Sequence, residues 1–285
     1  MSNPKLAKTG DYNRARRNTA YVVLGILTVL CLIWFFLLIM VCSKPHAELT
    51  GKFNFGFGRY LITNYNSSIN SSQNIFRGMA NSFFVSGMSA LLTVYFSTLT
   101  AYALVVYKWK LRDGFFTFIM AVMMIPTQVV GIGFYQFMYK IHMTNNFLPL
   151  ILPAIAAPGV VFFMRQFMLP SLHIDIINSA RIDGAKEFYT FNTIVLPIMK
   201  PAIATQAIFA FVNSWNNLFL PMILLTDKEK YTMPIMVSLL KGDIYKTEFG
   251  SIYLGLTLTV LPLFIVYFLL SKYIIAGVAL GGVKG

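Results

Sequence analysis

Charge is scarce in this chain and absent from most of its length. Charged residues are 12% of the sequence, half the share of about 25% that a water-soluble domain carries. Too few charges remain to cover a solvated surface, which excludes a soluble globular domain. The 57% hydrophobic share excludes disorder. A net charge of +13 would suit a nucleic-acid-binding domain, but not on so apolar a chain, and membrane topology supplies another reason for it.

Cysteine and histidine are equally scarce: Cys31 and Cys42, His46, His142 and His173. The histidines stand far apart and both cysteines fall in one apolar stretch, so no metal-ligand spacing is present. Eleven residues along one helix also separate the cysteines too far to bridge within it. The chain lacks a GxxxxGK[ST] phosphate loop, so it does not energise itself with ATP in the usual way. HExxH, GxSxG and CxxC are missing too, as is any paired Asp or Ser/His set for hydrolysis at membrane depth.

Long uncharged runs take the place of these features. There are six: 18–43, 78–107, 114–139, 141–164, 201–226 and 249–271, of 26, 30, 26, 24, 26 and 23 residues. A helix needs roughly 20 apolar residues to cross a bilayer core, so all six are long enough. The run 60–76 has 17 residues, nine of them Asn, Ser or Gln, and reads as a loop outside the membrane. With a cytoplasmic N-terminus, the inner segments carry fourteen basic residues and the outer ones nine, while five acidic residues fall on each side. That bias follows the positive-inside rule and places both termini in the cytoplasm. The first run exceeds a signal-peptide core and no small-residue cleavage site follows it, so an uncleaved helix is expected.

No Asp, Glu, Lys or Arg interrupts the runs, and His142 sits near the end of one. Ion-coupled carriers usually hold such groups within the bilayer. Neutral polar residues do occur: Thr127 and Gln128 in the third run, Asn213, Ser214, Asn216 and Asn217 in the fifth. Amides and hydroxyls suit an uncharged, hydroxyl-rich solute, although bonding between helices is the commoner use. Gln128, Asn213, Trp215 and Asn216 are the candidates for a solute path. Pro126, Pro149, Pro153, Pro158, Pro221 and Pro262 each remove a backbone donor and bend or break a span.

The largest inner loop is 165–200. Ile174, Ile177 and Arg181 recur at helical spacing with Ala180 beside them, and Gly184 then breaks the run. A second amphipathic piece places Phe188, Phe191, Ile194 and Val195 on one side and stops before Pro197. The expectation is a helix–turn–helix against the membrane.

NSARIDGA, Asn178 to Ala185, followed by FNTIVLP ending at Pro197, resembles the EAAxxDGA…IxLP loop of ABC-importer permeases. The likeness is to the six-span subunit of the carbohydrate-uptake, maltose-transporter type. Asn81-Ser82, AYAL (Ala101 to Leu104), FMRQF (Phe163 to Phe167), Phe211-xxx-Trp215-Asn216 with Pro221, and the tail GGVKG agree in order with that family. The resemblance covers roughly 78–285, the expected permease core of five spans. Residues 1–77 match only as basic tail, first span and outer loop.

The resemblance implies an all-α integral membrane protein with six transmembrane helices, the type I ABC importer fold. It implies a pore-forming subunit rather than an enzyme, one that translocates a sugar, an oligosaccharide by preference. Its implied partners are a homologous second permease, two ATP-binding subunits and an extracellular sugar-binding protein. This chain would bind no cofactor, with ATP and Mg on the partner subunits. The coupling loop would comprise Asn178, Ser179, Ala180, Asp183, Gly184, Ala185, Glu187 and Pro197. Asn178 stands where the family has the glutamate that contacts the ATPase, leaving Asp175, Asp183 or Glu187 to compensate, and His173 stands where Pro is frequent. The segment 227–249, with Tyr231, Lys241, Asp243 and Tyr245, would face the binding protein. The alternatives are the same architecture for glycerol phosphate or a polyol, and a stand-alone secondary carrier.

Overall fold

The computed structural model describes residues 4–50, 54–70, 75–240 and 249–282. Lys241, Asp243 and Tyr245 lie outside them, as does the side chain of Gln128. In chain order the helices are α1 (Pro4–Val41), α2 (His46–Thr50), α3 (Leu61–Asn70), α4 (Ile75–Val106), α5 (Arg112–Val122), α6 (Thr127–Lys140), α7 (Leu148–Ile151) and α8 (Pro158–Ser171). They continue with α9 (Ile174–Ile182), α10 (Glu187–Thr190), α11 (Leu196–Ile198), α12 (Lys200–Trp215), α13 (Phe219–Leu224), α14 (Met233–Leu240) and α15 (Phe249–Gly282). No strand occurs among the described residues.

Four stretches are long and apolar enough to cross a membrane: Arg16–Val41, Ile75–Val106, Leu148–Ser171 and Phe249–Leu269. Three of the six expected spans are not continuous helices. The fourth run is interrupted at Ala156–Ala157, between a 3-10 turn at Leu152–Ile155 and α8. The third run divides into α5 and α6 at Met123–Pro126. Pro126 has no N–H to continue the ladder and pushes Ile125 out of helical geometry, and it then starts α6 with φ −62 and ψ 125. The fifth run divides into α12 and α13 around Asn217. A ring at Pro221 would clash with the carbonyl four residues back, which is that of Asn217. The helix breaks there, and the Asn217 side chain accepts from the Leu220 N–H at 3.4 Å.

The chain forms two units. The first comprises Met1–Asn70 and Asp243–Leu258. Here the expected polar loop at 60–76 contains instead a helix, α3, whose Asn64 and Ser68 are buried. The carbonyls left open after α1 explain why. The Asn64 amide donates to the carbonyls of Cys42 at 2.8 Å and Lys44 at 3.0 Å. The Asn64 carbonyl in turn accepts from the hydroxyls of Ser68 and Ser251. The Lys44 ammonium donates to the Asn54 carbonyl. His46 stacks on Phe249 with ring centroids 5.1 Å apart. The apolar window of α1 buries none of its residues within the chain, as befits a helix whose sides meet lipid or other chains. Cys42 is buried, Cys31 exposed, and both are free thiols.

The second unit comprises Ser71–Gly242 and Thr259–Gly285. Its organising feature is a stripe of small residues on α4, Ser82, Ser86, Ser89, Thr93 and Ser97, all buried. Steps of three and four residues put them on one helix face, and small side chains let neighbouring backbones approach closely. Three of them also bond outward: Ser89 donates to the Leu150 carbonyl at 3.5 Å, Thr93 donates to the Ala154 carbonyl at 2.9 Å, and Ser82 accepts from the Met233 N–H at 2.7 Å. The main core joins α4 to α8, α9 and α12 through Ala101, Tyr102, Met164, Met168, Ile177, Phe191, Val195 and Ala202. A smaller cluster gathers Ala90, Phe211 and Trp215 against Leu263 and Val266.

Gly250 is a close approach of backbone to side chain: a Cβ there would lie 2.4 Å from the Asn64 amide nitrogen. Gly250→Val should therefore cost on the order of 1–3 kcal/mol by overpacking. A lowered melting temperature of the detergent-solubilised protein, with Gly25→Val as a control in open space, checks this.

Candidate functional site

The 165–200 loop folds as the expected helix–turn–helix. Ile177 of α9 is buried in the main core and Ala180 is buried beside it on the helix, while Ile174 is 43% exposed. The turn that follows is a Schellman motif. Gly184 takes φ +78, its N–H donates to the Arg181 carbonyl at 3.0 Å, and the Ala185 N–H donates to the Ala180 carbonyl at 2.9 Å. A side chain on Gly184 would meet no atom of this chain but would strain the left-handed backbone.

The second limb departs from the expectation in two ways. It does not stop before Pro197: Phe191–Val195 forms a π-helical turn, α11 carries the chain to Ile198, and an 82° bend then leads into α12. The wider turn relieves the contact between a proline ring and the preceding turn. Phe188 also leaves the buried face and stands 69% exposed, whereas Phe191 and Val195 are buried as expected. The limb is too short, and its winding too uneven, for a 3.6-residue reading to place its first residue.

Glu187 ties the two limbs together and ties both to α4. Its carboxylate accepts from Arg181 Nε at 2.7 Å, across the glycine turn, and from Tyr102 Oη at 3.0 Å. The Arg181 guanidinium lies 5.5 Å from the Tyr107 ring centroid. The hydrogen bond from Arg181, then that from the Tyr107 phenol, holds the Glu187 carboxyl at about 2 against an ordinary 4.5. Asn178, Ser179, Asp183, Gly184 and Pro197 are exposed, Ala185 and Glu187 half-buried, and Ala180 buried. Ile182, Phe188 and Tyr189 expose large apolar surfaces around the turn.

The solute-path candidates separate. Asn213 and Asn216 open with Gln206, Phe209 and Val160 onto a cleft of about 450 Å³ between α8 and α12. Trp215 is not among them. It is 2% exposed, stacks on Phe211 at 5.6 Å, and donates to the Thr259 carbonyl of α15 at 3.1 Å. Gln206 was missed by sequence reasoning. Its spacing of seven from Asn213 and ten from Asn216 places it on their helix face, and that signal was available.

The segment expected to face a binding protein is partly a buried helix, α14, with Met233, Ile235, Met236 and Val237 inside. Tyr231, just before it, is half-buried, and its phenol donates to the Thr226 carbonyl at 3.3 Å. The Asn145 amide holds the Asp227 carboxyl below its usual range, with Lys230 a smaller cause.

Sequence and structure comparisons place these features. A family profile described as binding-protein-dependent transport system inner membrane component matches residues 93–279. The arabinooligosaccharides transport system permease AraQ of Bacillus subtilis is 34% identical over 91% of this chain and 92% of its own length. A probable ABC transporter permease of Pyrococcus horikoshii is 31% identical over 86% and 90%. The lactose transport system permease LacG of Rhizobium radiobacter is 29% identical over 72% and 74%. In fold, the chain is similar to a chain of a bacterial ABC transporter involved in the import of the acidic polysaccharide alginate. The TM-score is 0.78 at 20% identity, covering 92% of this chain and 97% of that one.

Two outcomes follow from the loop's geometry. Glu187's carboxyl is lowered on folding, so its contribution to holding the loop is full above about pH 4.5 and fades as pH falls toward 2. Glu187→Gln should loosen the loop by less than about 1 kcal/mol, because the pair is 36% and 44% exposed. Faster amide exchange at 181–190, unchanged between pH 6 and 8, is the expected readout. Trp215→Ala should cost about 3–5 kcal/mol in stability, whereas Asn213→Ala should leave the melting temperature within about 1 °C.

Proposed function

The chain belongs to the binding-protein-dependent transport inner membrane components, and on that premise we propose that it is one permease subunit of an ATP-driven oligosaccharide importer. It is a transport component of a membrane and not a catalyst. A homologous permease forms the other half of the path, two ATP-binding subunits dock beneath, and an extracellular binding protein delivers the sugar. Both termini then face the cytoplasm of a bacterial cell, and ATP and Mg belong to the docked subunits.

The observation that carries the sugar reading is the cleft. Its polar groups are the uncharged amides Gln206, Asn213 and Asn216, beside the aromatic face of Phe209. Amides exchange hydrogen bonds with hydroxyls and aromatic faces stack on sugar rings, while an anionic solute such as glycerol phosphate would want a cation there. The arabinooligosaccharide relative points to the same chemistry. The coupling reading rests on the turn at Gly184, exposed and ringed by Ile182, Phe188 and Tyr189. Such an apolar patch marks a protein contact. ATP-driven closure of the docked subunits would move this turn, and the 82° bend would pass the motion into α12, which lines the cleft.

The test is uptake of labelled arabinotriose into proteoliposomes holding the assembled transporter. Gln206→Ala/Asn213→Ala should lower transport about tenfold while ATP hydrolysis persists. Gly184→Leu should abolish ATP-dependent uptake with the protein still in the membrane, and Gly184→Asn, which tolerates a positive φ, should retain most of it. Uptake by this chain alone, without ATPases, would overturn the reading.

A further inference from the structure

Asn145 lies between α6 and α7 with φ +56 and makes an unusual number of bonds, all to one segment. Its N–H donates to the Leu224 carbonyl at 2.7 Å. Its side-chain amide donates to Asp227 Oδ2 at 2.7 Å. Its side-chain oxygen accepts from the N–H groups of Thr226 at 3.3 Å and Asp227 at 3.1 Å. Its own carbonyl accepts from Lys230 Nζ at 2.8 Å. From the other side, the Asn81 amide donates to the carbonyls of Glu229 and Tyr231, and Arg77 pairs with Glu229 at 3.0 Å.

The segment so held is exposed at Thr226, Asp227, Lys228 and Glu229. A surface loop with charges of both signs would ordinarily sample many shapes. This one is fixed from beneath at nearly every residue, so the entropy of ordering it is already lost before any partner arrives. It lies at the far end of α12–α13 from the turn at Gly184, the outer side in the proposed orientation. We infer that Asn145 is a positioning residue: it holds Thr226–Lys230 in the shape against which the solute-binding protein docks through charge complementarity. This rests on the importer reading above.

Asn145→Gly separates the side chain from the backbone. Glycine adopts φ +56 without strain, and the main-chain bonds to Leu224 and Lys230 remain, so only the three side-chain bonds are lost. Asn145→Asp instead sets two carboxylates face to face, and adding Asp227→Asn restores the bond with donor and acceptor exchanged. The assembled transporter in proteoliposomes is titrated with a purified arabinooligosaccharide-binding protein loaded with arabinotriose, and ATP hydrolysis is followed. The half-maximal binding-protein concentration should rise about tenfold in Asn145→Gly, and more in Asn145→Asp. It should return to within about twofold of wild type in Asn145→Asp/Asp227→Asn, with basal hydrolysis constant throughout. An unchanged half-maximal concentration in Asn145→Gly, despite faster amide exchange at Thr226 and Asp227, would overturn the inference alone. So would equal losses of basal and stimulated hydrolysis, which mark a structural role. Wild-type transporter that no binding protein stimulates would overturn the importer reading, and this inference with it.

Discussion

Everything on the loop side of the molecule rests on how α4 seats the 174–198 segment. Ile177, Phe191 and Val195 are buried against Ala101 and Tyr102, and they share one core with Met164 and Met168 of α8. Apolar burial alone would let the two short helices roll, because it has no preferred direction. Glu187 adds the direction. It joins Arg181 on one limb and Tyr102 on α4, so the angle across Gly184 and the distance to the span are set by one carboxylate. The Schellman turn completes this, satisfying the last carbonyls of α9 without help from outside. The loop is thus a stiff lever, and the exposed apolar side chains at its tip are free to meet another surface.

A stiff lever needs a span that can move as a body. The small residues of α4 allow close packing against α8 and α12, and Ser89 and Thr93 bond to the backbone carbonyls of Leu150 and Ala154. Contacts of this kind tolerate sliding better than interlocked large side chains, since few rotamers must change. The spans are interrupted at Met123–Pro126, Ala156–Ala157 and Asn216–Leu218, and no Asp, Glu, Lys or Arg stands at any of these breaks.

Much of this was legible in the sequence. Each of the six uncharged runs contains helix, though three are broken, and the inner loop's turn was visible from the spacing of Ile174, Ile177 and Gly184. The parts that were not legible share a physical cause. Hydropathy reports whether a residue can be buried, not which neighbour it meets. Trp215 looked like a ring for stacking on a solute, but its indole nitrogen reaches the Thr259 carbonyl on α15. Asn64 and Ser68 looked like exposed loop residues, but the end of α1 leaves carbonyls that need donors. In both cases a long-range partner decided the outcome, and no local period encodes a long-range partner.

The replacement of the family's glutamate by Asn178 can now be weighed against this geometry. Three acidic residues stood ready to compensate for the missing charge. Glu187 is unsuited, because Arg181 and Tyr102 already occupy its carboxylate and breaking those bonds would loosen the lever itself. Asp175 and Asp183 remain exposed at the two ends of α9. Asp175 lies in the first turn of α9, and Asp183 stands at its carboxyl end, beside the turn at Gly184. Asp183 is thus the acidic residue beside the exposed apolar tip formed by Ile182 and Phe188, five residues along the chain from Asn178.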